Sequence, residues 1–287
     1  MVLLTKETPI AIQGITGRQG SFHTETMLAY GTKVVAGVTP GKGGQKVHDL
    51  SVYNSMHEAA ENHEVKASVV FVPAKFAKSA VIEGIQAGLE TIVVITEGIP
   101  VRDTMEMIAA AKDQVCIIGP NTAGMLVPPI QAKLGIMPND LCSPGQISVI
   151  TKSGTLSYEI SKSLDLAGLG LANYVGIGGD PIRGSTFVDM LQLLDEDPET
   201  KQVVLIGEIG GDEEERAAKF IKKHFSKPVF AYVAGKSAPE GKRMGHAGAI
   251  ISGESGTAQT KIKALRAADV IVADSPWDLA SLIRDHT

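Results

Sequence analysis

Short apolar runs rich in β-branched residues recur along the chain, and longer stretches with helical spacing separate them. Examples are IAIQG, KVVAGV, ASVVFV and TIVVITEG in the first half, and ISVITKSG, VVLIGEIGG and PVFAYVAG in the second. Runs that are apolar at nearly every position fit parallel strands covered on both faces, since a solvated face would show polar alternation. Their alternation with helices predicts a doubly wound α/β architecture.

A chain of 287 residues is long enough for about two domains of this kind. The stretch between the two sets of strands is rich in proline and shows little helical periodicity, so we interpret it as a connection. The predicted organisation is an N-terminal domain over residues 1–125, a connecting segment over 126–145 and a C-terminal domain over 146–287.

Composition narrows the classes of partner. The net charge of −5 and the 5% aromatic content disfavour nucleic acid and anionic membranes as ligands. The N-terminus MVLLTKETP lacks the pattern of a secretory signal, and the two cysteines, Cys116 and Cys142, fit neither a metal site nor a disulfide framework. We therefore expect a cytoplasmic protein with no metal site, no nucleic-acid partner and no membrane partner.

The first strand leads into a loop with glycines at positions 14, 17 and 20, followed by a helix. Such glycines let backbone N–H groups approach a phosphate at a helix N-terminus. An NAD site would place a carboxylate after the second strand, but here GVTPGKGG supplies Lys42, and Arg18 adds a cation to the first loop. The pocket therefore favours a ligand with an extra phosphate, such as NADP or coenzyme A, although Lys42 alone could equally be a solvated loop residue.

A second anion site is predicted in the C-terminal half. The run ISVITKSGT reads as a strand whose end opens a helix at Ser153, Gly154 and Thr155. The first N–H groups of a helix need acceptors. Ser153 fits a simple N-cap, and an N-cap leaves the neighbouring N–H groups available for an anion.

His246 differs from the other histidines because glycine and alanine flank it on both sides. A neutral imidazole is a nucleophile near physiological pH, and the anion site in the same domain favours phosphoryl acceptance over general-base work. Glu208 ends a strand that reads as buried and is the candidate to orient the imidazole. By contrast, Glu213–Glu215 open a helix and are expected to form its solvated face.

In combination, these segments resemble the α subunits of the succinyl-CoA synthetase family, the ADP- or GDP-forming acyl-CoA ligases. The resemblance extends over nearly the whole chain. It implies an N-terminal Rossmann-like CoA-binding domain and a C-terminal flavodoxin-like domain. The segments that carry it include QGITGRQGSFHT, YGTKVVAGVTPGKGG, ITEGIP, GPN, KSGTLSYE, VGIGGDPI, IGEIGG and GKRMGHAGAI.

The resemblance assigns roles to individual residues. It implies a phosphohistidine at His246, with Glu208 holding the ring, and a phosphoryl cradle formed by Ser153, Gly154 and Thr155. Contacts with the acid substrate are implied for Tyr158 and Asn121. The residues implied to bind CoA are Thr16, Gly17, Arg18, Gln19, Lys42, Ile95, Thr96 and Glu97.

The resemblance also implies a partner, because the chain lacks the spacing of a phosphate-binding Walker A loop. ATP or GTP with Mg²⁺ would bind an ATP-grasp β subunit, in an αβ or α₂β₂ assembly. Succinate is the leading acid, while malate or a related acid is an alternative, because Thr122 and Ala123 replace the Cys-Pro usual in the family. An NADP-dependent oxidoreductase and a non-catalytic CoA-binding module are the alternatives outside this chemistry.

Overall fold

The described residues form two β-sheets with helices on both faces, as a doubly wound α/β fold requires. The structure is a computed structural model and describes residues 4–112, 114–239, 241, 244–251 and 256–286. The prediction of an α/β fold with two sheets is therefore confirmed. No helix within these ranges is long and apolar enough to cross a membrane.

The first sheet has the strand order of a dinucleotide-binding fold. Its order is β3-β4-β2-β1-β5-β6-β7, parallel throughout except for the short edge strand β3. Relabelled along the parallel strands alone, this is the Rossmann order 3-2-1-4-5-6. Strands β2 and β4 are added on one side of β1, and β5 to β7 on the other, so the order of strand addition reverses between β1 and β5. The carboxyl end of β1 at this switch point is therefore the expected ligand site. The elements are β1 Ile10–Gln13, α1 Arg18–Tyr30, β2 Val34–Val38, β3 Lys46–Val47, β4 Leu50–Tyr53, α2 Met56–His63, β5 Ala67–Val70, α3 Ala74–Gln86, β6 Thr91–Val94, α4 Val101–Ala111 and β7 Cys116–Ile118.

The second sheet has the order β14-β13-β12-β10-β11-β8-β9. Its five parallel strands follow the flavodoxin-like order 2-1-3-4-5, with the switch point between β10 and β12. Strands β8 and β9 extend it as an antiparallel hairpin. The elements are β8 Gly124–Val127, β9 Ala132–Gly135, β10 Pro144–Thr151, α5 Gly154–Leu166, β11 Leu171–Gly176, α6 Phe187–Glu196, β12 Gln202–Glu208, α7 Glu213–His224, β13 Val229–Ala234, α8 Ala258–Arg266, β14 Ile271–Val272 and α9 Leu279–Asp285.

The segment between the two sets of parallel strands is itself part of the second sheet. Leu126 of β8 pairs with Tyr174 of β11, and β9 continues the sheet beyond β8. Both strands are buried at every position. The proline-rich stretch predicted as a connection at 126–145 therefore contributes core residues, and the domain limits remain a prediction.

The two sheets share one apolar core instead of being separated by a linker. Ile12 of β1 belongs to the same buried cluster as Leu134 of β9 and Ile150 of β10. A polar contact crosses the same boundary, because the Lys133 backbone N–H donates to Thr32 Oγ1 at 3.0 Å. The shared core fixes the loops at the carboxyl edge of one sheet relative to those of the other.

Candidate active site

The His246 side chain is held by a carboxylate at the end of a buried strand. Nδ1 of His246 lies 2.8 Å from Oε2 of Glu208, which is the last residue of β12. The loop that carries the ring closes on itself, since the Met244 N–H donates to the Ala249 carbonyl at 2.9 Å. An ionised carboxylate only accepts hydrogen bonds, so in the neutral imidazole the proton lies on Nδ1 and the lone pair on Nε2. Nε2 is thereby the nucleophilic atom of the pair.

A glycine forms the floor under the imidazole. A Cβ added at Gly179 would lie 2.6 Å from both Cγ and Cδ2 of His246, a distance that real Cβ atoms do not reach. The Gly179 N–H donates to the Asn121 carbonyl at 3.1 Å, which fixes the peptide under the ring. Sequence analysis missed Gly179, because its only signal was membership of the motif VGIGGDPI. The ring orientation therefore depends on a glycine in another loop as well as on the small residues beside it.

Charges around the ring favour the imidazolium form. The hydrogen bond to Glu208 raises the pKa of His246 above its ordinary value, and burial opposes this effect. The negative charges of Glu208, Asp180 and Glu97 raise that pKa further. Burial in turn raises the pKa of Asp180, whose carboxylate accepts a hydrogen bond from Asn121 Nδ2 at 3.0 Å. The ring lies in an acidic, half-buried environment that stabilises a positive charge on it.

The predicted phosphate loop lies at the carboxyl end of β10, next to the strand that ends in Glu208. Ser153 is the N-cap of α5, and its hydroxyl accepts the Leu156 N–H at 3.3 Å. The N–H of Ser153 is bound to Thr151 Oγ1 at 2.9 Å. Gly154 and Thr155 occupy the first helical positions, whose N–H groups have no partner within a helix. The start of α5 can therefore receive an anion beside the switch point of the sheet.

The loop GPNTAG lies against both the phosphate loop and Gly179, since Ala123 packs beside Gly154 and the Asn121 carbonyl accepts the Gly179 N–H. Asn121 has a positive φ of 56°, and its N–H donates to the Thr96 carbonyl at 3.0 Å. Thr122 turns its hydroxyl into the second sheet, where it donates to the Gly176 carbonyl and accepts the Gly124 N–H at 2.9 Å. The neighbouring Ala123 is 5% exposed, so both residues that depart from the family pattern are buried. Thr122 and Ala123 therefore influence the site through the conformation of this loop and are not exposed to a ligand.

Tyr158 lies on the second turn of α5 and is half-buried against the apolar cluster of the second domain. Burial raises the pKa of its phenol. The hydroxyl of Ser157, on the same turn, donates to the Gly154 carbonyl at 2.6 Å. The structure thus places Tyr158 near the start of α5, but no contact joins it to His246 in the described chain.

The first glycine loop builds a tight passage from β1 to α1. Gly14 has a φ of +82°, and a Cβ added at Gly20 would lie 2.2 Å from the Gly14 carbonyl oxygen. Gly17, Arg18 and Gln19 are exposed at the helix start. The glycines allow the helix to pack closely on the strand, and the exposed backbone at the helix start is accessible to a ligand phosphate.

A cavity of about 840 Å³ opens beside this loop at the carboxyl edge of the first sheet. Thr16 and Gly17 belong to its lining, together with the aromatic rings of Phe71 and Phe76. Thr16 is anchored by a hydrogen bond from its hydroxyl to Thr39 Oγ1 at 3.2 Å. The cavity combines apolar walls with an exposed helix N-terminus, a combination that fits a nucleotide with a flexible apolar arm.

The remaining predicted CoA residues lie in two other loops. Lys42 is exposed, and its loop is pinned by hydrogen bonds from Gly41 and Gly43 N–H to Asn54 Oδ1, each 3.0 Å. Ile95 and Thr96 follow β6, and Glu97 lies close enough to His246 to influence its charge. The 95–97 loop therefore faces the second domain, while Arg18, Gln19 and Lys42 stay at the exposed rim of the first.

The prediction of a solvated face for Glu213–Glu215 is wrong. Glu214 is 1% exposed, and its carboxylate is bound between Lys152 and Lys261. The three acids do open α7, as expected. Burial of Glu214 depends on two lysines far away in sequence, which composition and periodicity could not reveal.

Known proteins resemble the chain over its whole length. Family models for a CoA binding domain and for CoA-ligase match residues 5–98 and 150–271. The ADP-forming succinate–CoA ligase subunit alpha of Methanothermobacter thermautotrophicus is 53% identical over 99% of this chain and 96% of the relative. The malate–CoA ligase subunit alpha of Methylorubrum extorquens is 45% identical over 99% and 97%.

A solved structure shares the fold. It is an ATP citrate lyase from Methanothrix soehngenii in complex with citrate and coenzyme A, with a TM-score of 0.90 and 26% identity. The match covers 99% of this chain but 50% of that one, so the chain spans half the length of this structural relative.

Proposed function

Because the chain belongs to the CoA ligases, in the family of succinate–CoA ligase α subunits, we propose that it forms succinyl-CoA through a phosphohistidine. The observation that carries the proposal is the pair formed by His246 and Glu208, which leaves Nε2 as a nucleophile at the switch point of the second sheet. Both matched models describe CoA chemistry, so an NADP-dependent oxidoreductase is not supported.

The reaction has three steps in this proposal. Nε2 of His246 attacks the γ-phosphorus of the nucleoside triphosphate, the N–P bond forms, and the diphosphate leaves. A carboxylate oxygen of succinate then attacks the same phosphorus, which breaks the N–P bond and yields an acyl phosphate. Finally the CoA thiolate attacks the acyl carbon, and phosphate leaves with the electrons of the C–O bond.

The residues of this chain serve those steps in defined ways. Glu208 holds the proton on Nδ1 of His246 and stabilises the positive charge that the ring gains when Nε2 bonds to phosphorus. The N–H groups at Gly154 and Thr155 would receive the phosphoryl oxygens at the start of α5. The loop 16–19, Lys42 and the 95–97 loop would hold CoA, with Asn121 and Tyr158 toward the acid.

The nucleotide requires a second polypeptide. Relatives of this chain are named as α subunits, so the enzyme works with a β subunit. We assign to an ATP-grasp β subunit the site for ATP or GTP with Mg²⁺. Cytoplasmic location is part of the same proposal, supported by the free, buried thiols of Cys116 and Cys142.

The decisive experiment is co-expression with a β subunit of this family, followed by incubation with γ-labelled ATP or GTP. We expect an acid-labile, base-stable label on the α chain, which succinate and CoA together discharge as phosphate with formation of succinyl-CoA. A complex that forms neither label nor thioester would refute the proposal and would leave a non-catalytic CoA-binding module.

Malate is a second candidate acid, because a malate–CoA ligase subunit alpha is 45% identical to this chain. The same complex, given a panel of dicarboxylic acids and scored by CoA-thioester formation, decides between the two. We expect succinate to give the largest kcat/KM. A larger value with malate would reassign the substrate without changing the phosphohistidine chemistry.

A Lys42→Ala variant tests the extra-phosphate interpretation of the first domain. A hydrogen bond to a charged phosphate is worth about 1.4 kcal/mol or more, so the variant should bind CoA about tenfold more weakly. It should bind 3′-dephospho-CoA as well as the wild type does. Titration calorimetry on the complex measures both, and Lys46→Ala, an exposed lysine in the edge strand β3 that follows this loop, is the matched control. Equal losses for the two ligands would contradict contact with the 3′-phosphate.

A further inference from the structure

A single buried carboxylate joins the separate parts of the His246 site. Oε1 of Glu214 accepts the backbone N–H of Glu208 at 3.1 Å and lies 2.8 Å from Lys152 Nζ. Oε2 of the same carboxylate pairs with Lys261 Nζ. The Glu214 side chain is 2% exposed, so these contacts are made out of water. The three contacts connect Glu214 to three separate segments, which contain Glu208, Lys152 and Lys261.

The two lysines extend the contact to the loops around the phosphate and the ring. Lys152 directly precedes Ser153, the N-cap of the predicted phosphate loop. Lys261 Nζ also donates to the Gly210 carbonyl at 2.9 Å. A Cβ added at Gly210 would lie 2.0 Å from the carbonyl oxygen of Gly248, in the loop that carries the catalytic histidine. The network therefore reaches the phosphate loop on one side and the histidine loop on the other.

The residue before Glu208 in β12 makes room for this carboxylate. A Cβ added at Gly207 would lie 2.7 Å from both Cγ and Oε1 of Glu214. The backbone of Gly207 is therefore covered by the Glu214 side chain. This packing is independent of the ion pairs and supports the same role for Glu214.

Electrostatics fix the protonation of the carboxylate. Burial raises the pKa of Glu214, but the charges and hydrogen bonds of Lys152 and Lys261 outweigh it, and the pKa is held below its usual range. The ionised carboxylate can only accept, so it binds the Glu208 N–H firmly. Lys152 Nζ is bound to Glu214 and lies 3.5 Å from Glu213, so both acids of this network balance its charge.

We propose that Glu214 is a positioning residue for phosphoryl transfer, which holds the backbone of Glu208 in register with the phosphate loop that begins at Ser153. The inference rests on the proposed function, since it concerns the same phosphohistidine. Glu214 acts through Glu208 and the two lysines, without touching the reacting atoms.

A Glu214→Gln variant in the complex with the β subunit tests this role. The substitution keeps the volume and one acceptor oxygen but removes the charge that faces two lysines. We expect phosphorylation of His246 to slow about tenfold or more, as is typical when a group that orients a reacting residue is altered. CoA binding, which uses the first domain, should stay unchanged.

The pH profile separates a positioning role from a loss of stability. Without a fixed Glu208, the raised pKa of His246 should fall, and the rise in phosphorylation rate with pH should move to lower pH, as we also expect for Glu208→Gln. A variant that combines Glu208→Gln with Glu214→Gln should lose little beyond Glu208→Gln alone, because the two residues act on the ring as one unit. Asp197→Asn is the control, since Asp197 holds Asn173 Nδ2 at 2.7 Å in a buried polar cluster away from Glu208.

A second variant covers the case in which Glu214→Gln fails to fold. Gly207→Ala leaves every charge in place but puts a methyl group where the carboxylate lies, so it should slow phosphorylation in the same way. Phosphorylation within about twofold of wild type in a folded variant, or losses that multiply in the double variant, would overturn the inference. If the wild-type complex forms no phosphohistidine at all, the proposed function fails, and the inference fails with it.

Discussion

Replacing His246 by asparagine should abolish the phosphoenzyme and lower kcat for thioester formation by more than about 10³-fold, because it removes the nucleophile. The smaller side chain leaves the Gly179 floor untouched, so the fold should survive. The measurement is retention of label from γ-labelled ATP on the α chain, together with succinyl-CoA formation.

Two control measurements accompany the His246→Asn experiment. His224→Asn, an exposed position at the end of α7, should label as the wild type does. CoA affinity should be equal in both variants, because the cavity beside Thr16 and Gly17 is unchanged. Label that persists in His246→Asn would place the phosphoryl acceptor elsewhere and would refute the assigned nucleophile.

Replacing Glu208 by glutamine should lower the rate of His246 phosphorylation about 100-fold or more, because the imidazole loses the carboxylate that orients it. A glutamine amide can donate to Nδ1 and so favour the tautomer that carries its proton on Nε2, where the lone pair is needed. The loss should fall on kcat with little change in CoA affinity. Single-turnover labelling measures the step directly.

The pH dependence of the Glu208 variant has a defined sign. In the wild type, the hydrogen bond to Glu208 raises the pKa of His246, so the neutral nucleophile forms only as the pH rises through that raised value. In Glu208→Gln the pKa falls, and the rise in rate with pH should therefore move to lower pH while its plateau drops. Glu199→Gln, an exposed carboxylate, is the control. An unshifted profile would show that Glu208 does not govern the charge of the ring.

The sequence was sufficient to predict the two α/β sheets and the glycine loops at their carboxyl edges, because strand burial and loop glycines are local properties. The same reasoning found His246 and Glu208 separately, and the structure brings them within 2.8 Å. Ser153 as an N-cap also followed from local chemistry. Strands, loop glycines and helix caps depend on a residue and its immediate neighbours, so they can be predicted from the sequence.

The parts that were missed depend on distant partners. Gly179 matters only because the imidazole of His246 lies on it, and nothing beside Gly179 in the chain indicates that ring. Glu214 in a first helical turn has the usual pattern of a solvated acid, and its burial requires Lys152 and Lys261. The burial of Lys261 at 0% exposure within the polar stretch AQTKIKALR is likewise a tertiary effect. Periodicity carries no information on such pairings.

The β8–β9 hairpin has a consequence for synthesis on the ribosome. The first sheet is complete once β7 has emerged, whereas Leu126 of β8 can pair only with β9 until Tyr174 of β11 follows. Met125 and Leu126 are fully buried in the finished protein, so this apolar hairpin waits without its partner strand while the chain lengthens. An apolar strand with one open edge is prone to associate with other chains. The β11-facing edge of the hairpin therefore stays open to association with other chains until β11 is synthesised.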